Sequence, residues 1–325
     1  MSTIRKPGKD RHRRQFAFDA ALGALAWIVI VGRQLGHTQS GQLLIEHLLL
    51  FAPLVIVPLG VRLTSGRTEG RKHPLAFVAA SNLHPLATLA AVGAVLLEPG
   101  LPSGFAAGIW GAYCSLLALW GCLRFFGTGQ RSLAEVAIEV GLVYSAIGGV
   151  WFVLSRMGLQ PLEFPHAIVA LTSVHFHYAG FAAPIIVGLA GRVLGRSGPP
   201  HVLWRIGARA VIVCPIVIAI GITTAPIVEV IAAFGLAIAL TMSMMVVAVR
   251  AGPALGVWPG ILIWKCAISL SLTMVLACIY ALGEFTGTPW IDIEHMALIH
   301  GLVNVFGFAL PGMLAWTIAD PPRVQ

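Results

Sequence analysis

Charge is what this sequence has least of. Only 10% of its 325 residues are Asp, Glu, Lys or Arg, against roughly 25% in a soluble globular domain. So few charges cannot cover a water-soluble globule of this length, and 58% of the residues are hydrophobic, with a mean hydropathy of +0.87. The solvent of this chain is therefore mostly lipid. Paired cysteines are missing too. The five cysteines (Cys114, Cys122, Cys214, Cys266, Cys278) form no Cys-x-x-Cys pair and all fall in apolar stretches. They read as packed free thiols, not as a disulfide framework or a structural zinc site. The basic N-terminus runs into its first apolar segment without a small-residue cleavage pattern, so the first helix is expected to be retained. No zinc-finger, helix-turn-helix or RNA-binding signature accompanies the net charge of +8. Nucleic acid is not an expected partner, and the basic excess suits anionic lipid better.

What the chain does have is apolar runs near the ~20 residues a membrane helix needs. Ten spans are expected, at roughly 16–32, 42–63, 74–97, 105–125, 133–154, 166–191, 207–224, 226–249, 261–283 and 296–318, with Gly, Pro and charge between them. The weakest break is Ala225-Pro226, where spans seven and eight are joined by almost nothing. A single helix across it is too long to fit comfortably, so two are expected. The fold class is thus all-α, a polytopic transmembrane helix bundle. A basic tail at 1–15 precedes one helical domain at 16–318, and a short tail follows at 319–325. With the N-terminus in the cytoplasm, all but Arg33, Arg156 and Lys265 of the 21 basic residues fall on the inner side. That bias favours an even number of spans with both termini cytoplasmic. Lys265, one turn into span nine, is expected to snorkel to the headgroups.

Ionisable groups at membrane depth are costly and mark functional sites by default. Val174-His175-Phe176-His177-Tyr178 lies in span six, with no charge between His166 and Arg192. On this topology both histidines fall near the midplane, at roughly 13–17 Å depth. Glu46 and His47 in span two, His84 in span three, Glu229 in span eight, and His300 and Asn304 in span ten fall between midplane and outer leaflet. Glu139 in span five lies nearer the inner surface, within reach of Arg124 or Arg131. The looped histidines His37, His73 and His201 read as surface groups, and His166 and His295 as span starts.

Residues two apart on a helix differ by roughly 200° around its axis. One metal ion cannot easily take both His175 and His177. Either one of the pair joins a residue of another span, or each faces a different site. No Cys or Asp lies near His175, which argues against a structural zinc site, while imidazole suits zinc, copper, iron and haem iron alike. The candidate catalytic set is His175, His177, His300, Glu46 and Asn304. The candidate metal set is His175, His177, His300 and His84, with a metal or haem as the cofactor to test for.

Two resemblances follow. His175-Phe176-His177-Tyr178 resembles the His-Phe-His-Tyr of haem-copper oxidase catalytic subunits, where the two histidines face different haems. The rest of that pattern is absent, since there is no His-His pair and His84-Pro85 is followed by Leu86-Ala87-Thr88. A broader likeness is to YndJ-like bacterial membrane proteins. It rests on Glu46-His47-Leu48-Leu49-Leu50-Phe51-Ala52-Pro53 with Pro58-Leu59-Gly60, on Glu139-Val140-Gly141 with Gly148-Gly149-Val150-Trp151 and Arg156, on His175-Phe176-His177-Tyr178-Ala179-Gly180-Phe181, and on His300-Gly301-Leu302-Val303-Asn304 with Gly307-Phe308. That resemblance implies a multi-spanning protein of the bacterial inner membrane. It implies no activity, although the family is sometimes labelled as transporters.

Three functions stay open. An intramembrane enzyme would use His175 or His177 with His300 and a carboxylate such as Glu46, on a metal, haem or lipophilic substrate. A transporter would use the same groups to carry protons or bind a cation. A structural or sensor subunit would use them only to hold helices together.

Overall fold

A backbone in hydrocarbon must satisfy its N–H and C=O groups within itself, and each apolar run of this chain does so as a helix. A computed structural model describes residues 7–34, 41–64, 75–127 and 132–319. His37, His73, Arg67, Arg71, Lys72, Arg131 and both extreme tails lie outside the described residues. The ten expected spans are all present. They are α1 (Pro7–Gln34), α2 (Gly41–Thr64), α3 (Leu75–Leu96), α4 (Leu101–Phe126), α5 (Leu133–Arg156), α6 (His166–Leu194), α7 (Val202–Thr224), α8 (Pro226–Arg250), α9 (Val257–Thr286) and α10 (Ile293–Ala319). The break at Ala225 is real: its backbone is extended, at φ −156° and ψ 100°, and α7 and α8 form a tight hairpin around it.

Several helices overrun their apolar cores. α7 begins at Val202 and α9 extends from Val257 to Thr286, because helical bonding continues into the polar ends. Caps set the limits. The His201 ring accepts from Leu203 N at 3.2 Å. Gly287, at φ 67°, closes α9 in the left-handed conformation that glycine adopts without strain. Asp292 caps α10, and its carboxyl is held below the usual carboxylate range by the His295 backbone N–H first and the His295 ring second.

The arrangement is two helices inside eight. In α2 and α6, 89% of the apolar window is buried within the protein, against 17% in α1. Around this pair run α1, α3, α4, α5, α7, α8, α9 and α10 in that order, each packed on the next. The ring closes where Trp27 of α1 meets Phe306 of α10, ring centroids 5.7 Å apart. Outward faces carry Phe18, Leu25, Leu89, Phe105, Ile231, Ile238 and Leu272, all exposed, as a lipid-facing surface requires.

Close packing of the inner helices depends on glycine. Trp204 of α7 lies over Gly191, and its indole N–H donates to Val187 O at 3.1 Å. A Cβ at Gly188 would come within 2.6 Å of both Ala134 O and Ile138 Cγ1 of α5. Gly188→Leu is therefore expected to push α6 off α5 and cost about 1–3 kcal/mol or more, as overpacking does. The unfolding midpoint in detergent reads this, and an unchanged midpoint would show that the α5–α6 contact can yield.

The inner pair and α10 are interrupted by π-helical turns: Ala52–Ile56 in α2, Phe176–Ala182 in α6, and Ala297–Gly301 and Asn304–Ala309 in α10. Pro53, Pro184 and Pro311 lie in or just after them, each removing one ladder N–H. Side chains from neighbouring helices donate to carbonyls around these turns. Tyr178 Oη donates to Leu48 O at 2.7 Å, Trp27 Nε1 to His47 O at 2.8 Å, and Cys266 Sγ to Phe308 O at 3.2 Å. π-turns recur at functional sites, and here they surround the histidines.

Candidate functional site

His175 ends the α-helical first half of α6, and His177 lies just inside the π-turn that follows. Their opposed directions give them different fates. His177 points toward α4 and α5 and is fully buried. Trp110 Nε1 donates to His177 Nε2 at 3.0 Å, so the ring proton sits on Nδ1, which donates to Ser173 O at 2.8 Å. Gly148 makes room for it: a Cβ there would lie 2.8 Å from Nδ1. Ser173 Oγ donates in turn to Gly148 O at 2.8 Å, tying α6 to α5. Both nitrogens of His177 are thus spent, which leaves no lone pair for a metal.

His175 faces the other way. Its side chain is exposed, so protein atoms do not close over it. Neither ring nitrogen has a hydrogen-bond partner among the described residues. It lies near enough to His300 of α10 for their charges to interact.

His300 sits in the first π-turn of α10 and is half-buried. Its Nδ1 donates to Thr273 O of α9 at 3.0 Å, which leaves Nε2 as a lone pair with no partner among the described residues. Asn304, one turn on, donates through Nδ2 to His300 O at 2.9 Å and accepts from Thr273 Oγ1 at 3.1 Å. Thr273 thus holds both polar groups of α10 against α9. Gly301 lets α2 approach on the other side, where a Cβ would meet Leu48 Cδ1 at 2.9 Å. Thr273 and the Asn304 amide thus hold His300 and Asn304 together on α10, with His175 near enough to His300 for a charge interaction.

The remaining candidates are engaged elsewhere. Glu46 pairs with Arg156 of α5 at 3.0 Å. The same guanidinium donates to Ser103 Oγ at 3.0 Å and to Leu97 O, closing the bundle at what we term the Arg156 end. The expectation that Glu46 serves the histidines gives way to this ion pair. His47 meets Gln34 Oε1 through Nε2. His84 is held through Nδ1 by Asp19 Oδ2 at 3.0 Å and through Nε2 by Thr88 Oγ1 at 3.2 Å. Both of its ring nitrogens are thus taken by groups other than the candidate histidines. Glu229 faces Gly221 of α7 and interacts with Glu284 of α9. No group of three or more His, Cys, Asp or Glu side chains able to hold a metal ion occurs among the described residues.

Sequence reasoning missed a second ionic cluster at the opposite, Arg124 end. Glu135 accepts from Arg124 Nη2 at 3.0 Å and from Arg192 Nε and Nη2 at 2.7 and 3.0 Å. Arg124 Nη1 donates to Thr64 O at 2.7 Å, and its Nε lies 3.9 Å from Glu139, the pairing expected for that acid. The signal was present as Ser132-x-x-Glu135, a helix start with an acid in its first turn, but the Glu135 carboxylate bonds across helices to Arg124 and Arg192.

This architecture defines an integral, multi-pass helical membrane protein. Residues 47–308 match the YndJ-like protein family, and the chain belongs to that family. It is 34% identical over 238 residues to the uncharacterized membrane protein YndJ of Bacillus subtilis (strain 168), an alignment covering 73% of this chain and 42% of that protein. The chain thus spans less than half the length of that relative. No solved structure matches it. His175, His300 and Asn304 all fall inside the matched region.

Proposed function

We propose that the protein binds a ligand inside the membrane, at a site made by His175 of α6 with His300 and Asn304 of α10. One observation carries this reading. Of the histidines deep in the spans, His175 has both ring nitrogens without a partner among the described residues and His300 has one, and the two lie near enough for their charges to interact, while His177 and His84 are engaged at both nitrogens. Neutral imidazole lone pairs accept hydrogen bonds or coordinate a metal. With no third ligand gathered from the described residues, a metal held here completes its coordination from its own ligands, as haem iron does. The ligand class is therefore a lipophilic molecule that presents a metal centre or a hydrogen-bond donor. The site lies within a bundle whose outer faces are apolar, so such a molecule reaches it from lipid.

The test is an optical spectrum, metal analysis and mass spectrometry of extracted small molecules, on protein purified in mild detergent. His175→Ala and His300→Ala run beside it. The expected result is a co-purifying species whose occupancy falls about tenfold or more in each variant, equivalent to at least roughly 1.4 kcal/mol, with membrane insertion unchanged. Full retention of that species in both variants sinks the reading.

A proton- or cation-coupled transporter is the second reading. It is favoured by the ion pairs at opposite ends of the enclosed helices, Glu46–Arg156 and Glu135–Arg192, with the imidazoles between them. Alternating access requires such closures to open in turn. Solute uptake by proteoliposomes that depends on a pH gradient, and is lost in His175→Ala, would place the protein in this class.

A further inference from the structure

A second polar cluster lies inside the membrane between α1, α3 and α4, independent of the His175 site. Asp19 sits on α1, which rises roughly 12 Å from Arg11 to that point. Its Oδ2 lies 3.0 Å from Nδ1 of His84, whose side chain is 2% exposed against 15% for Asp19. The His84 Nε2 lies 3.2 Å from Thr88 Oγ1, one turn along α3. The Tyr113 ring of α4 stands edge-on to the His84 ring, centroids 5.6 Å apart. Tyr113 is 3% exposed, and its hydroxyl is buried with no hydrogen-bond partner among the described residues. It lies close enough to Asp19 for their charges to interact.

A carboxylate inside a bilayer is costly unless another charge or a proton neutralises it. The surroundings of His84 accommodate either answer. With the imidazole neutral, Nδ1 donates to Asp19 and Nε2 accepts from the Thr88 hydroxyl. With the imidazole protonated, Nδ1 still donates to Asp19, and Nε2–H donates to the same Thr88 oxygen. A hydroxyl can both donate and accept, so the proton can arrive or leave without orphaning a buried group. The cluster is neutral with the proton and carries one negative charge without it. Tyr113 provides an uncommitted O–H near enough to interact with the carboxylate whose charge is left unbalanced when the imidazole loses its proton. The buried Tyr113 oxygen has no open space around it for a molecule. A proton is the occupant that fits.

We propose that Asp19 and His84 form an intramembrane proton-binding dyad, with Tyr113 as the hydroxyl that stabilises its charged state. The titratable group that packs against the dyad is Tyr113 of α4. His12 packs on Phe77, nearer the Arg124 end. Asp19 is the more exposed member and the natural entry point. On the far side, Tyr113 stacks on Trp110, centroids 5.2 Å apart, and Trp110 donates to His177. The dyad is thus linked to His177 of α6 through Tyr113 and Trp110.

The test uses the full chain in lipid bilayers, with carboxyl-¹³C aspartate and ring-¹⁵N histidine, titrated by solid-state NMR across about pH 5 to 8, the range in which histidine charge is physiologically relevant. The sequence holds four aspartates, Asp10, Asp19, Asp292 and Asp320, and Asp19→Asn identifies the carboxyl of interest. The expected result is one Asp carboxyl and one His ring that change together with a shared midpoint, as coupled groups do. Both changes vanish in Asp19→Asn and persist in Glu46→Gln. Tyr113→Phe, which keeps the ring, is expected to move the midpoint by about threefold or more in proton affinity. A purely structural ion pair would hold one protonation state throughout, and that outcome in the unaltered protein overturns the proposal whether or not Asp19→Asn folds. An unmoved midpoint in Tyr113→Phe overturns the role of Tyr113.

Discussion

Glu135→Ala is expected to cost the bundle about 3–5 kcal/mol, the range for breaking a buried ion pair by removing one partner. The Glu135 side chain is 5% exposed and receives two guanidiniums, from Arg124 and Arg192, whose side chains are 6% and 9% exposed. Removing the carboxylate takes away the counter-charge they share, while each remains where water cannot solvate it. The consequences spread because Arg124 also donates to Thr64 O at the end of α2 and lies over the Trp120 ring, 5.4 Å from its centroid. Glu135 and Arg124 together therefore join the ends of α2, α4, α5 and α6, both central helices included. Glu135→Gln keeps the shape and loses the charge, and is expected to fall between wild type and alanine. The check is the unfolding midpoint in detergent by heat or denaturing surfactant. A midpoint for Glu135→Ala within error of wild type would mean that packing alone holds the Arg124 end together.

The spans were legible because a bilayer leaves the backbone few alternatives. Once charge is scarce and apolar runs recur at span length, helices follow, and even the doubtful break at Ala225-Pro226 could be placed by length. The helix ends were less legible, since helical bonding at Val202 and Val257 continues past the apolar core that hydropathy reports. Pairings across the bundle were beyond reach. Glu46 and Arg156 come from α2 and α5, and nothing local in either segment names the other. The π-turns were hidden for a related reason: prolines at 53, 184 and 311 are visible, but whether the chain kinks, breaks or widens depends on donors such as Tyr178, Trp27 and Cys266 arriving from other helices. Asp19 was overlooked beside the basic N-terminus. The clue was an acid flanked by Phe16-Ala17-Phe18 and Ala20-Ala21-Leu22, where a solvated surface residue has no reason to sit.

The helical geometry of His-x-His was the most informative local signal, and it leads to a paired expectation. A separation of roughly 200° predicts that the two rings serve different places, and the structure holds His177 on Trp110 and Ser173 while His175 has no hydrogen-bond partner among the described residues. His177→Ala is accordingly expected to lower stability by about 3 kcal/mol or more. It empties a fully packed position between α4, α5 and α6, and it leaves the Trp110 N–H buried without an acceptor, which alone costs about 1–3 kcal/mol. His175→Ala removes no hydrogen bond to the described residues and alters an exposed side chain, so its stability should stay within about 0.5 kcal/mol of wild type, while ligand occupancy is lost. Measuring the unfolding midpoint and the bound species on the same preparations separates these effects. If His177→Ala keeps its midpoint and loses the ligand, while His175→Ala does neither, the working face of α6 is the one toward Trp110, and the site must be rebuilt around α4 and α5.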